Sequence, residues 1–544
     1  MARARTWALA AVMSAVLVAG VLAGSARTAF AHASLLSSTP VANSVLEEGP
    51  AEIVLQFSEP IEVGMASIRL FDGAGSRLDL GDPVEGADDA TVRAAVPALG
   101  DDVYAVVWRI TSVDGHVVDG AFSFQVGTTT NADGQALIES VRRGVRAAPT
   151  VGRIYGVSRF LAYLATVALL GAGWWIMQGA ALGRAAGRKW RALPVVSAVA
   201  LLVASIGAFT FFGAQAVAGS VGDAFSPSVW RDVAGTRTGA LLAVRIGLAA
   251  AWLALVKVQP RLRPELVKTV AFVMAVCTLS TFSAAGHPTT LDPSALWIAV
   301  DLLHLAAVSA WLGGLLAFAL LPRAALALPA GELLAKRFSR SALLAVPVVV
   351  VTGAALGWQL NDGLEGLTDT AWGEALVAKI IAVMVVLAIA VVSRWFLHRR
   401  SARSMWGTVV MEAALGILVV GLAATIVGMS PEPPIRSQAY AEQLASPSGL
   451  IAVVSLGPGS IGSNEVHITV TPTGGSLTPV VKVSARVSLP SADLPAAPVD
   501  LVKEGQNHYS GWITFPRSGQ WELELIVQVT ASEQQSLKAV VPIP

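Results

Sequence analysis

Charge is scarce in this chain and cysteine is almost absent. Of 544 residues, 14% are Asp, Glu, Lys or Arg, 54% are hydrophobic, and mean hydropathy is +0.63. Soluble globular chains carry about 25% charge, so a single soluble domain is excluded. One cysteine, Cys277, excludes an intramolecular disulfide, a zinc ribbon and a CxxC redox pair. The sequence has no phosphate-binding glycine loop, which argues against direct drive by ATP. It also has no fixed-period repeat and no low-complexity tract. Lys plus Arg number 38 and Asp plus Glu 37, a near balance that hides segregation along the chain. The length predicts several domain-sized units.

What is present is a succession of unlike segments. Arg3 and Arg5 precede an apolar stretch from Trp7 to Gly24, and Ala29-Phe30-Ala31 has the small-x-small pattern of a cleavage site. Residues 1–31 read as a secretion signal; a retained first membrane helix is the alternative. Cleavage makes His32 the first residue of the mature chain.

Residues 32–127 hold 15 Asp/Glu against 4 Lys/Arg. A negative field of this size attracts cations and repels nucleic acid. Runs at Glu52–Phe57, Ala66–Phe71, Thr91–Val96, Val103–Ile110 and Ala121–Val126 are separated by Gly, Pro and Asp clusters. This spacing predicts a β-sandwich or small barrel. A mature His32 offers its α-amino nitrogen and its imidazole. Asp114-Gly115-His116 adds a carboxylate and a second imidazole. Taken as extended, the segment puts positions 114 and 116 on one face, about 6.5–7 Å apart. Three nitrogens and one oxygen suit tetragonal Cu(II) or Ni(II), and Cu(II) has the higher affinity. The ligands must lose protons, so affinity falls toward acid pH.

These residues resemble a known family. His32-Ala33, Ser38-Thr39-Pro40, Phe57-Ser58-Glu59-Pro60, the run Tyr104–Arg109, Ser112 and the run Asp114–Gly120 are similar to the periplasmic copper-binding family CopC. The resemblance implies a cupredoxin-like β-barrel that holds one Cu(II) through His32, Asp114 and His116. Some members add a Met-rich Cu(I) site; Met65 is the one methionine of this segment, and no such site is expected.

Residues 128–152 read as a linker with a short helix from Gln135 to Val145. Eight apolar stretches follow, near 155–178, 193–219, 237–258, 265–285, 296–322, 340–361, 374–397 and 406–429. Each can cross a bilayer core, which takes about 20 residues, and together they define a membrane domain at 153–430. The first, third, fifth and seventh loops carry sixteen Lys and Arg, whereas the other loops carry Arg231 with Arg237 at an edge. The positive-inside rule puts the odd loops in the cytoplasm and both β domains outside the cytoplasmic membrane. Arg142, Arg143 and Arg146 oppose this, before the first span, and are outvoted.

Ionisable groups inside spans are costly and default to functional candidates. His304 lies in the fifth stretch, roughly 12 Å below its outer end by the helical rise. Asp301 sits three residues earlier on the same face, and His287 closes the fourth stretch. These three could form a membrane path for a metal. Alternatively, Asp301 and His304 bond Arg245 or backbone and only hold the bundle together. Met274, Cys277, Met384, Met411 and Met429 read as packing rather than ligands. His304, Trp311, Gly313, Gly314, Lys336-Arg337-Phe338-Ser339, Thr352-Gly353, Thr370-Ala371-Trp372-Gly373 and Lys379 resemble the CopD family of copper membrane proteins. Trp372 stands where that family often has Tyr. The resemblance implies copper transport across the inner membrane, usually uptake.

Pro431, Pro433 and Pro434 open a second linker, 431–445. Strand-like runs at 451–455, 465–471, 480–487, 509–515 and 521–529 predict an immunoglobulin-like sandwich at 446–544. Its histidines, His467 and His508, have no Cys or Met beside them and read as no metal site.

The reading is a multidomain membrane protein that captures Cu(II) and moves copper, by import. Copper resistance by sequestration or export is the alternative. A copper or haem oxidoreductase is the third reading. Asp114 would fill a position that a copper monooxygenase leaves for oxygen, and His287 and His304 differ in depth, which disfavours paired haem ligation. No catalytic residue is assigned. The partners implied are the copper ion, the lipid bilayer and an extracytoplasmic copper donor, with no nucleic acid.

Overall fold

A computed structural model of the chain describes residues 35–40, 44–113, 115–127, 134–142, 149–291, 293–360, 371–399, 406–428, 440–457, 459, 462–472, 478–490, 494–505 and 507–543. They form two compact units. One comprises the helices of 147–433 with the short segment Thr111–Val117; the other comprises the remaining strands and the helix Gly134–Arg142.

The helical unit has eight helices long and apolar enough to cross a membrane. Span 1 is Pro149–Gln178, span 2 Ala180–Ala216, span 3 Arg237–Arg261 and span 4 Pro264–Ser283. Span 5 is Ser294–Leu320, span 6 Pro329–Gln359, span 7 Trp372–Trp395 and span 8 Trp406–Ile426. Each overlaps one of the eight apolar stretches of the sequence. One addition is a nine-residue helix, Pro227–Gly235, between spans 2 and 3, with Pro227 at its first turn. It is too short to span, and it buries Val229 and Val233.

Span 5 is the hub. It packs against spans 1, 4, 6 and 8. Its approach to span 1 rests on small residues, which is how helices meet closely in lipid. Span 1 loosens into a π-helical stretch at Ala168–Ala172. There Gly171 faces Gly313 so closely that a Cβ on Gly313 would lie 2.4 Å from the Val167 carbonyl oxygen and 2.7 Å from the Gly171 Cα. Gly314 leaves room for the rings of Phe338 and Trp175.

The N-terminal strands are β1 (Leu35–Thr39), β2 (Val45–Leu46), β3 (Glu52–Phe57), β4 (Ser67–Phe71), β5 (Arg77–Leu78), β6 (Val84–Glu85), β7 (Thr91–Ala95), β8 (Asp102–Thr111) and β9 (Val117–Val126). They form two sheets, ordered β1-β3-β7-β6 and β2-β9-β8-β4-β5. The sheets stay separate rather than closing into a barrel. Alternate residues of β3 and β8 meet between them, where Phe57 and Trp108 pack edge to face at 5.2 Å. The second face of β8, with Val103, Ala105 and Val107, is covered by Leu137, Ile138 and Val141 of the helix Gly134–Arg142. That double cover explains why β8 is apolar nearly throughout.

The C-terminal strands are β10 (Tyr440–Ala445), β11 (Ile451–Gly457), β12 (Gly462–Thr471), β13 (Lys482–Leu489), β14 (Leu494–Val499), β15 (Leu501–Gly505), β16 (His508–Phe515), β17 (Gly519–Gln528) and β18 (Gln534–Ile543). They form a five-stranded and a four-stranded sheet around one apolar core. Strand β10 falls in the expected linker and pairs in register with β11. Edge strands need less apolar sequence than central ones, which is why β10 is quiet in the pattern.

Replacing Gly313 by Val should force spans 1 and 5 apart. The expected cost is about 1–3 kcal/mol, read as a lower melting temperature of the full chain in detergent or lipid, with Ala less harmful than Val.

Candidate metal centre

The turn between β8 and β9 carries two of the predicted ligands. Gly115 N–H donates to the Ser112 carbonyl at 2.9 Å, and Ser112 N–H to the His116 carbonyl at 2.8 Å. Gly115 has φ +87°, the left-handed region that favours glycine. Ser112, Gly115 and His116 therefore belong to a tight turn rather than an extended run. A side chain at Gly115 would also place its Cβ 2.8 Å from the Thr238 hydroxyl oxygen. Below the turn, Arg109 of β8 pairs with Asp119 of β9 at 3.1 Å. Burial pulls the Arg109 guanidinium below its ordinary pKa, and the Asp119 carboxylate opposes that shift.

The His116 ring is fixed on both sides. Its Nε2 lies 2.7 Å from the carbonyl oxygen of Val427, the residue after span 8. A carbonyl only accepts, so Nε2 carries the proton. In the neutral ring Nδ1 then holds the lone pair. Helices end with carbonyls that lack an intrahelical donor, and Val427 supplies one. The ring also stacks on His287, with centroids 4.4 Å apart and planes 11° from parallel. His287 is buried and opens the turn His287–Thr289 after span 4. Thr238 begins span 3, His287 follows span 4 and Val427 follows span 8. Alternation of antiparallel spans puts all three at one end of the bundle.

A second polar group lies further along. Ser283, the last residue of span 4, donates to the Ile298 carbonyl at 3.3 Å and is within hydrogen-bonding range of Asp301. The charge of Lys379 in span 7 acts on both Asp301 and His304. His304 Nδ1 is 2.9 Å from the Thr352 hydroxyl, whose own proton goes to the Val348 carbonyl at 2.5 Å. The ring is also hydrogen-bonded to the Val349 backbone, so two neighbours on span 6 hold the His304 imidazole. A Cβ on Gly353 would come within 3.1 Å of the His304 ring. Thr352-Gly353 thus orients one edge of the imidazole and makes room for it.

Of the alternative partners expected for Asp301 and His304, Arg245 or backbone, Arg245 is engaged elsewhere, whereas the His304 ring bonds the Val349 backbone. Arg245 donates to the Thr281 hydroxyl at 2.9 Å and the Thr281 carbonyl at 2.7 Å. Its guanidinium lies 3.5 Å from the Phe282 ring centroid. The soft side chains Cys277, Met384 and Met411 are exposed on the outside of the bundle, whereas Met274 packs against buried residues of spans 1–4. In the C-terminal sandwich, His467 and His508 come together as a cross-strand stack with centroids 5.5 Å apart, beside Glu465. Sequence spacing gave no hint of this pair, because β12 and β16 meet through register.

His32, Asp114 and the signal segment lie outside the described residues. Among the described residues no group of three or more His, Cys, Asp or Glu is arranged to hold a metal ion. Sequence reasoning missed Val427, Thr238 and Ser283. A backbone carbonyl leaves no trace in a sequence, and the two hydroxyls are ordinary residues in apolar helices.

Three family profiles match the chain: the CopC domain at residues 35–127, the copper resistance protein D-like N-terminal domain at 150–292, and copper resistance protein D at 332–426. The chain is a CopC–CopD-like fusion. It is 26% identical to the copper transport protein CutJ of Bacillus subtilis over 466 residues, covering 82% of this chain and 83% of that one. It is 26% identical to the inner membrane protein YebZ of Escherichia coli, covering 38% of this chain and 74% of the relative. It is 34% identical to copper resistance protein C of Escherichia coli, covering 21% of this chain and 94% of the relative.

Gly115→Ala should strain the turn of the fusion's first domain and push against Thr238. A left-handed residue costs about 1–2 kcal/mol outside glycine, which corresponds to roughly tenfold weaker metal binding. Isothermal titration of the full chain with Cu(II) measures it.

Proposed function

We propose that this protein captures Cu(II) outside the cytoplasmic membrane and imports copper through its helical bundle. The observation that carries the reading is the stack of His116 on His287. One imidazole belongs to the proposed Cu(II) set His32, Asp114 and His116. The other stands at the end of span 4, four residues from Ser283, which leads to Asp301 and His304. Copper need not pass through bulk water between the two.

The ligand chemistry supports the same order. The Val427 carbonyl holds the Nε2 proton of His116 and orients Nδ1 as the coordinating atom, the role that outer-shell acceptors play around metal-binding histidines. His287 lies alongside to accept the ion by ligand exchange. Asp301 adds an oxygen ligand and His304 an imidazole. The names of the relatives support copper as the cargo, since CutJ is a copper transport protein and its shorter counterparts are copper resistance proteins. Loop cations support an orientation with the His116 end outside. Residues 1–31 then form the signal, 32–127 the copper-binding domain, 153–430 the membrane domain and 446–544 a second extracytoplasmic domain. The acidic first domain gathers cations outside, which supports the inward reading.

Two measurements on the full chain test this. Cu(II) titration followed by electron paramagnetic resonance should show one tetragonal site, weakened about 10–100-fold when a residue precedes His32 or when His116 is Ala. The site should weaken as pH falls through the histidine range, because protons compete for the ring nitrogens. In proteoliposomes, His287→Ala and His304→Ala should keep that signal and lose most copper uptake. Full uptake in both variants would overturn the path.

A further inference from the structure

The bundle buries one more carboxyl that this path does not use. Glu412 is the only ionisable residue of span 8 and is 3% exposed. A buried intramembrane carboxyl is expensive, and such groups mark ion and proton pathways. Glu412 accepts a hydrogen bond from the Ser393 hydroxyl of span 7. Both line a cavity of about 260 Å³ together with Trp311, Ser339, Pro347 and Arg394.

The position of the cavity is informative. Trp311 is seven residues beyond His304, on the same face of span 5 and about 10.5 Å further along by the helical rise. Ser393 and Arg394 close span 7, and Glu412 lies in the first third of span 8. Alternation therefore puts the cavity toward the end of the bundle opposite the His116–His287 stack. The charged and titratable groups facing Glu412 are few. Span 7 contributes Arg394, whose guanidinium donates to the Ser339 hydroxyl of span 6 at 2.9 Å. Among the described residues, spans 5 and 6 contribute no charged side chain to the lining, and the lining includes no imidazole, thiol or thioether.

That chemistry selects the ligand. Copper in either oxidation state favours nitrogen or sulfur donors, and the cavity offers neither. A single carboxyl bonded to a hydroxyl is a site for a proton, and in a mostly apolar cavity Ser339, Ser393, Arg394 and Glu412 are the polar partners that water needs to enter. We infer that Glu412 is a proton-exchange site, reached through this cavity from the cytoplasmic end, that couples proton movement to copper movement. The step is the reversible transfer of one proton between water in the cavity and a Glu412 carboxylate oxygen. The orientation and the copper cargo rest on the function proposed above.

Two readouts on the full chain in lipid separate the claims. Infrared difference spectra on acidification, without copper, should show a protonated-carboxyl band that Glu412→Gln removes and Glu412→Asp retains. In proteoliposomes loaded with a pH dye, copper addition should drive proton movement. Glu412→Gln should cut that movement by more than about tenfold, with the Cu(II) resonance signal and melting temperature unchanged, and Glu412→Asp should restore part of it. A packing role predicts the reverse ranking, with Gln milder than Asp. Copper-linked proton movement at the wild-type level in Glu412→Gln, or no Glu412 band at any pH, would overturn the inference. A titrating band in a protein that moves no copper would sustain the proton site and sink the transport reading.

Discussion

Desolvation decides where the polar groups of this bundle sit. An ionisable side chain in an apolar helix must find a partner or face water, because the surrounding hydrocarbon offers neither. Several polar residues in the spans answer that demand locally. Arg245 goes to Thr281 and the Phe282 ring, His304 to Thr352, Asp301 to Ser283 and the charge of Lys379, and Glu412 to Ser393. The groups sort into separate places because each pairing is short-ranged. Arg245 is spent on span 4, so Asp301 and His304 stay available beside span 5.

Span 5 is the element on which these pairings converge. Its small residues let span 1 approach at Gly171 and Gly313, while Gly314 admits Phe338 and Trp175. Close packing on that side frees the other side for His304, and Gly353 of span 6 leaves space for the ring. Residues that look like a dispersed family signature are thus one assembly: glycines for proximity, Thr352 for ring orientation, Lys379 for charge balance.

The His116 turn is the second constraint. Its glycine satisfies a left-handed backbone and a close approach to Thr238 at once. Its imidazole is held between a helix-terminal carbonyl and a second imidazole. An acceptor on one nitrogen orients the other, so the turn couples the end of span 8 to the orientation of an imidazole on another element.

Hydrophobic length and alternation made most of the architecture legible. All eight spans and ten strands coincide with runs visible in the sequence, because burial in lipid or between sheets imposes a period that composition records. His287, Asp301 and His304 were visible as costly residues in apolar surroundings. The edge strands β1, β2, β5, β6, β10, β14, β15 and β18 were not among those runs, since edge positions ask less of their residues. What tertiary structure alone decided is who meets whom. That His116 stacks on His287, that Val427 sets its tautomer, and that Arg245 turns away from His304 depend on contacts between residues 36 to 311 positions apart. A sequence fixes the cost of each buried group through its chemistry. Packing chooses the partner that meets it.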